Sequence, residues 1–170
     1  MQKTSEFFNK LIIEMNYQLD DIDKKILDFL VENTRMPFTE IAKQMDVSAG
    51  TIHVRVKKME DAGIILGSSL NIDYGKLDYH FTAFIGILLT KSNRTQEVLK
   101  ELAQIPNVVE ASVISGKYNI FCKVRAKNTD DAKRIIYMID DIQDVMRTES
   151  MISMEEYLSD KNRLIDAVKI

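Results

Sequence analysis

A single cysteine, Cys122, rules out intrachain disulfides among these 170 residues, and it fits a reducing compartment. Imidazole is nearly as scarce, with only His53 and His80. A His-based metal site or a Ser–His catalytic pair therefore has little material. No basic excess is present either: the formal net charge is −3, so no global field draws the chain onto nucleic acid. No apolar run approaches the roughly 20 residues needed to span a bilayer. The stretch Phe7–Met15 is interrupted by Lys10 and Glu14 and lacks a small-residue cleavage site, unlike a signal peptide. A cytoplasmic location with no membrane partner is expected.

Chemistry-bearing motifs are missing as well. The sequence has no phosphate-binding glycine loop, no metal-ligand spacing and no nucleophile–base pair. Asp130-Asp131, Asp140-Asp141 and Glu155-Glu156 are adjacent acids that read as solvated surface or helix caps. No catalytic residue, metal or cofactor is expected, and the chain reads as a non-enzyme.

What is present is a globular composition, 45% hydrophobic and 29% charged, with helical periodicity in its first third. Ile22, Ile26, Phe29 and Leu30 recur on one face of a helix that Asp20 or Asp21 can cap. Pro37 suits the start of a short second helix carrying Ile41, Ala42 and Met45. Asp46-Val47 forms a turn, Ser48 can cap a third helix, and Gly63 ends it. Three helices with a tight turn before the last make a helix-turn-helix.

Ile52, Val56 and Met59 face inward on the third helix, which turns Gly50, Thr51, His53, Val54, Lys57 and Lys58 outward. Segment 48–59 carries Arg55, Lys57 and Lys58 with no acid, a local basic cluster within an acidic chain. Lys57 and Lys58 suit phosphates, while Thr51, His53 and Val54 suit base edges. Ser48 and the free N–H groups behind it suit a phosphate as well as a cap. Arg55 falls on the flank, where pairing with an acid competes with reaching DNA. The DNA-binding candidates are Ser48, Thr51, His53, Val54, Arg55, Lys57 and Lys58.

Beyond Gly63, Ile64–Leu66 and Ser69–Tyr74 favour extended structure, punctuated by Gly67 and Gly75. Strands over Thr82–Thr90, Val108–Ser115, Tyr118–Ala126 and Met146–Met154 alternate with helices over Arg94–Ile105 and from Thr129, which serves as a cap. The order βαββαβ is that of a ferredoxin-like sandwich. The expected class is α+β, a winged-type helix-turn-helix domain followed by a ferredoxin-like domain. The expected divisions are an extension at 1–18, the helix-turn-helix at 19–66, a linker at 67–80, the ferredoxin-like domain at 81–156 and a tail at 157–170. In the extension, Phe7, Leu11 and Met15 with Phe8 and Ile12 form an apolar stripe. It reads either as a helix packing on a partner subunit or as a leader without fixed structure.

The ordered set Leu19–Leu27, Glu40-Ile41-Ala42, Val47-Ser48, Arg55-Val56 and Met59–Ile65 resembles the opening of the Lrp/AsnC regulators, the feast/famine proteins. Gly116-Lys117-Tyr118-Asn119 resembles a turn in that family's effector-binding domain, where an acid is usual at the position of Asn119. The resemblance spans nearly all of 19–155. It implies a transcription regulator that binds double-stranded DNA and responds to a small-molecule effector such as an amino acid. It also implies homodimers formed through the C-terminal sheets, assembled further to tetramers or octamers. Gly116, Tyr118 and Asn119 are the effector-binding candidates, since glycine permits close approach and a turn Asn can bond an amino acid's polar groups. The same residues would also serve as a plain hairpin turn. If the usual carboxylate orients a ligand ammonium or caps a neighbouring loop, Asn119 points to a different effector or none. Two alternatives remain: a ligand-independent architectural DNA binder, and a ferredoxin-like regulatory subunit of a metabolic enzyme.

Overall fold

The computed structural model describes residues 17–160, 162 and 164–168. The apolar stripe of the N-terminal extension lies outside them. The described residues divide into two compact units, one comprising those up to Leu70 together with those from Ser159 onward, the other Asn71–Leu158. The C-terminal tail thus returns to the first unit rather than standing apart.

The first unit is built from α1 (Asp21–Glu32), α2 (Phe38–Met45) and α3 (Ala49–Asp61). Asp20 is the cap of α1. Its Oδ1 accepts from the Ile22 and Asp23 N–H groups at 3.0 and 2.9 Å, and the Asp23 carboxylate accepts from the Asp20 N–H at 3.2 Å. This reciprocal box fixes where the helix begins. Helix α2 follows Pro37 and stops at Asp46, whose left-handed φ of 54° turns the chain into α3; a short polar side chain tolerates that conformation. Ile26, Leu27, Ile41, Ala42, Ile52, Val56 and Met59 form one buried core. Leu19, Phe29, Leu30 and Ile165, the last on a single helical turn at Ile165–Val168, pack against it.

Between α3 and the first strand the described chain contains only a 3-10 turn at Tyr74–Leu77, capped by Asp73. Among the described residues the extended segments expected at 64–66 and 69–74 find no pairing partner, and the winged form expected of this domain has no strand. Their apolar residues are largely exposed, Leu66 at 94% and Leu70 at 70%, so no sheet face stabilises them.

The second unit runs β1 (Phe81–Leu89), α4 (Thr95–Leu102), β2 (Val108–Val113), β3 (Ile120–Ala126), α5 (Thr129–Asp140) and β4 (Val145–Ile152). The sheet order is β2-β3-β1-β4, every pair antiparallel, which is the ferredoxin-like arrangement. Strand alternation sends Ala83, Ile85, Ile87, Leu89, Ile120, Cys122, Val124 and Ala126 to one face. There they meet Val98 and Leu102 of α4 and Ala132, Ile135 and Ile139 of α5. The other face carries no helix from this unit. On it Phe84 and Phe121 stack at 5.9 Å with 14° between planes.

Two sequence readings need correction. Thr129 opens α5 rather than capping it; Asn128, extended at φ −154°, accepts the Asp131 N–H at 2.9 Å and is the cap. The third strand starts at Ile120 rather than Tyr118.

Candidate nucleic-acid interface

Helix α3 shows how a sequence pattern becomes a presented surface. Ile52, Val56 and Met59 are fully or almost fully buried, so the helix cannot rotate without exposing them. Ser48 holds its start: the Ser48 Oγ accepts the Thr51 N–H at 3.0 Å and also lies 2.8 Å from the Thr51 Oγ1. The first turn carries no acid, so the partial positive charge of the helix N-terminus is left uncompensated there. Gly50, His53, Val54, Lys57 and Lys58 are exposed and Thr51 is half-buried.

These residues are not equivalent. Val54 stands 53% exposed among polar neighbours. His53 tilts toward Phe38 of α2, ring centres 6.0 Å apart. Lys57 bonds the Asp61 carboxylate at 2.9 Å, which raises its pKa, yet its side chain stays 61% exposed. Such a surface pair is weak enough to exchange for a phosphate.

Arg55 is placed differently. Its Nη1 donates to Asp20 at 2.6 Å and to Asp23 at 2.9 Å, and these two bonds raise its pKa. Asp20 is held below the usual carboxylate range by the Asp23 backbone N–H and then by Arg55. Tyr17 donates its hydroxyl to Asp23 at 3.0 Å; burial, followed by that carboxylate, pushes the phenol up to about 12. Arg55 thus ties the recognition helix to the start of α1.

An open recess of about 520 Å³ joins these groups, lined by Tyr17, Gln18, Gly50, Thr51, Val54 and Lys58 among others. Sequence reasoning missed Tyr17 and Gln18. They precede the first periodic helix, and the Tyr17 hydrogen bond to Asp23 together with its packing on the helical core brings them beside α3.

In the second unit Gly116, Tyr118 and Asn119 lie together in the turn between β2 and β3. Gly116 adopts φ 111°, a conformation that L side chains rarely reach. Asn119 is fully engaged: its Oδ1 accepts the Leu89 N–H at 2.9 Å, its Nδ2 donates to the Ser92 Oγ at 3.3 Å and its N–H donates to the Ile87 carbonyl at 2.9 Å. It caps the loop after β1, which is one role open to the acid usual at this position. The Tyr118 ring lies across Gly86, where a Cβ would sit 2.7 Å from ring carbons. Its hydroxyl donates to Glu149 at 2.5 Å, and Lys117 bonds the same carboxylate at 2.6 Å. Lys117 and then Tyr118 hold Glu149 below the usual carboxylate range. Glu149 and Gly86 are residues the sequence pattern gave no reason to select.

Among the described residues no three His, Cys, Asp or Glu side chains cluster to hold a metal. Cys122 is buried, which pushes its thiol up to about 11, the reverse of an activated nucleophile. No described helix is long and apolar enough to cross a membrane.

Comparison with known proteins agrees with this geometry. Residues 19–60 match the AsnC-type helix-turn-helix domain and residues 82–162 the Lrp/AsnC ligand binding domain. The Regulatory protein AsnC of Haemophilus influenzae is 41% identical over 143 residues, covering 82% of this chain and 93% of that protein. The structure of Escherichia coli AsnC superposes with a TM-score of 0.80 at 36% identity, covering 84% of this chain and 97% of that one. A transcriptional regulator from Neisseria meningitidis, solved as an L-Met complex, shares the fold with a TM-score of 0.79 at 20% identity, over 85% of this chain and 95% of that one. This chain belongs to the Lrp/AsnC family of transcriptional regulators, with an N-terminal helix-turn-helix that binds DNA and a C-terminal ligand-binding domain.

Proposed function

We propose that this regulator reads double-stranded DNA with the Ser48–Lys58 face of α3, as a homodimer whose DNA binding or assembly responds to an amino acid or related metabolite. The observation that carries the DNA reading is the fixed presentation of α3: three buried apolar residues behind it, a capped acid-free start, and Thr51, Val54, Lys57 and Lys58 on the free face. In this reading Lys57 and Lys58 meet phosphates, while Thr51 and Val54 meet base edges and His53 flanks them. A dimer would place two such helices in successive major grooves about 34 Å apart on an imperfect palindrome. Two copies can join on the sheet face opposite the helices, which carries the half-buried Phe84–Phe121 stack, and tetramers or octamers would follow from further contacts. The effector reading rests on the matched ligand-binding domain, on Gly116, Tyr118 and Asn119 gathered in one turn, and on the L-Met bound by the Neisseria protein of the same fold. The protein acts in the cytoplasm, without catalytic activity and without a cofactor.

A second reading, a ligand-independent architectural binder, draws on one observation. The Tyr118 and Asn119 side chains already have internal partners, so a ligand would have to displace them.

The salt dependence of duplex binding tests the interface. Replacing Lys57 and Lys58 together by Ala should weaken binding to all duplexes and flatten the log K against log salt slope by about 1.8 if each lysine neutralises one phosphate. An unchanged slope would remove both lysines from the interface.

A further inference from the structure

Arg55 lines the recess beside the DNA-facing residues of α3, yet its guanidinium is bound inward. The two carboxylates that hold it are the same two that build the capping box of α1. Asp23 is 1% exposed, and its other oxygen already accepts the Tyr17 hydroxyl and the Asp20 N–H. The arrangement is more than a surface ion pair. It couples the start of the support helix to one turn of the recognition helix through charge-assisted hydrogen bonds, the strong kind.

A guanidinium in this position has an obvious competing partner. Its five donors match a phosphate as well as they match a carboxylate, and duplex DNA would bring phosphates to the rim formed by Gln18, Thr51, Val54 and Lys58. Phosphate contacts supply affinity without sequence information. A released arginine would therefore strengthen binding to every duplex, and the base-facing Thr51 and Val54 would decide less.

We propose that Asp20 and Asp23 set the specificity of this regulator by withholding Arg55 from DNA phosphates while fixing α3 against α1. Arg55 is then a positioning residue, not a DNA contact. The inference rests on the reading of α3 as the recognition helix.

The test uses the full-length protein, a duplex recovered from genomic DNA by binding selection, and a random duplex, both titrated by fluorescence anisotropy across a salt series. In the D20N/D23N variant Asn keeps the acceptor oxygens of the capping box but no longer holds a cation. Random-duplex affinity should rise, the salt slope should steepen by about 0.9, and the selected-to-random affinity ratio should fall about three- to tenfold. In Arg55→Met the stem remains and the charge is gone. Binding should weaken on both duplexes by about tenfold because α3 loses its tie to α1, with the slope unchanged because no phosphate contact is lost.

An unchanged slope and ratio in D20N/D23N would overturn the proposal. So would a slope flattened by about 0.9 in Arg55→Met, which would make Arg55 a phosphate contact. If the double variant does not fold, as judged by its thermal melt, Asp20→Asn, which leaves Arg55 held by Asp23 alone, should move the slope and the ratio in the same directions by less, and no movement in either would overturn the proposal. A wild-type protein that binds neither duplex would instead sink the recognition-helix reading, an outcome separate from both.

Discussion

The two units hold their functional residues in opposite ways. On α3 the outward side chains Val54 and Lys58 are exposed, and what fixes the helix lies behind them: the Ile52, Val56 and Met59 core, the Ser48 cap and the Arg55 bonds to Asp20 and Asp23. In the sheet unit Tyr118 and Asn119 are themselves the fixing elements, one closed over Gly86 onto Glu149, the other holding the loop after β1. A presented surface can meet DNA as a rigid body. A closed network responds only if a ligand binds its two arrangements unequally. Reading DNA thus asks this chain for rigidity, and sensing asks for a bond that can be exchanged.

The strongest way to break this comparison is to show that the two cores are not independent. Ile52→Ala and Ile135→Ala each remove a fully buried side chain and should each cost about 2–5 kcal/mol. Differential scanning calorimetry should find the first lowering the transition of the DNA-binding unit and the second that of the sheet unit. A single transition moved equally by both would mean the units unfold as one.

Gly86→Val comes next. Its Cβ would meet the Tyr118 ring at 2.7 Å, so the ring must move and Glu149 loses its phenol. A cost of about 1–3 kcal/mol is expected from overpacking. Effector response, read as the change in duplex affinity on adding ligand, should fall while ligand-free affinity holds. Asn119→Ala leaves the Leu89 N–H without its acceptor and should cost about 1–2 kcal/mol in chemical denaturation. Asn119→Asp keeps an acceptor there and should cost less. Ser48→Ala, which removes the cap of α3, should cost about 1 kcal/mol.

The smallest effect is acid sensitivity. Lys117 holds Glu149 low, Lys123 and then Arg125 face Glu156, and Arg94 holds Asp144 low. A carboxyl with a depressed folded pKa stabilises the fold above its unfolded value of about 4, and that contribution is lost as pH falls through the folded value. Four carboxyls held low lie in the sheet unit, these three and Asp131, which Arg134 holds, against Asp20 in the DNA-binding unit. Between pH 6 and pH 3 the sheet unit's melting temperature should therefore fall further; an equal fall in both units would contradict the comparison.

The helix-turn-helix was legible because its signals are local: the 3.6-residue spacing of Ile52, Val56 and Met59, and a serine where a cap is needed. The strand order followed from alternation and from the breaks at Pro106 and Gly116. Other features were not legible, because they depend on pairs far apart in the chain. The flank position of Arg55 pointed to an acid partner but not to which one: it meets Asp20 across 35 positions, as Tyr118 meets Glu149 across 31, and no spacing encodes either partner. The apolar residues at 64–72 favour extended structure in isolation, but a strand also needs a neighbour, and the described residues offer none.

The central claim is that this regulator reads sequence with α3 and adjusts that reading to an amino acid or related metabolite. Selection of bound fragments from genomic DNA at fixed salt, with and without a pool of the common amino acids, tests it most directly. The account predicts a palindromic motif whose recovery changes when the pool is present. A motif recovered equally with and without the pool would contradict amino-acid sensing, and no enriched motif in either condition would contradict sequence reading by α3.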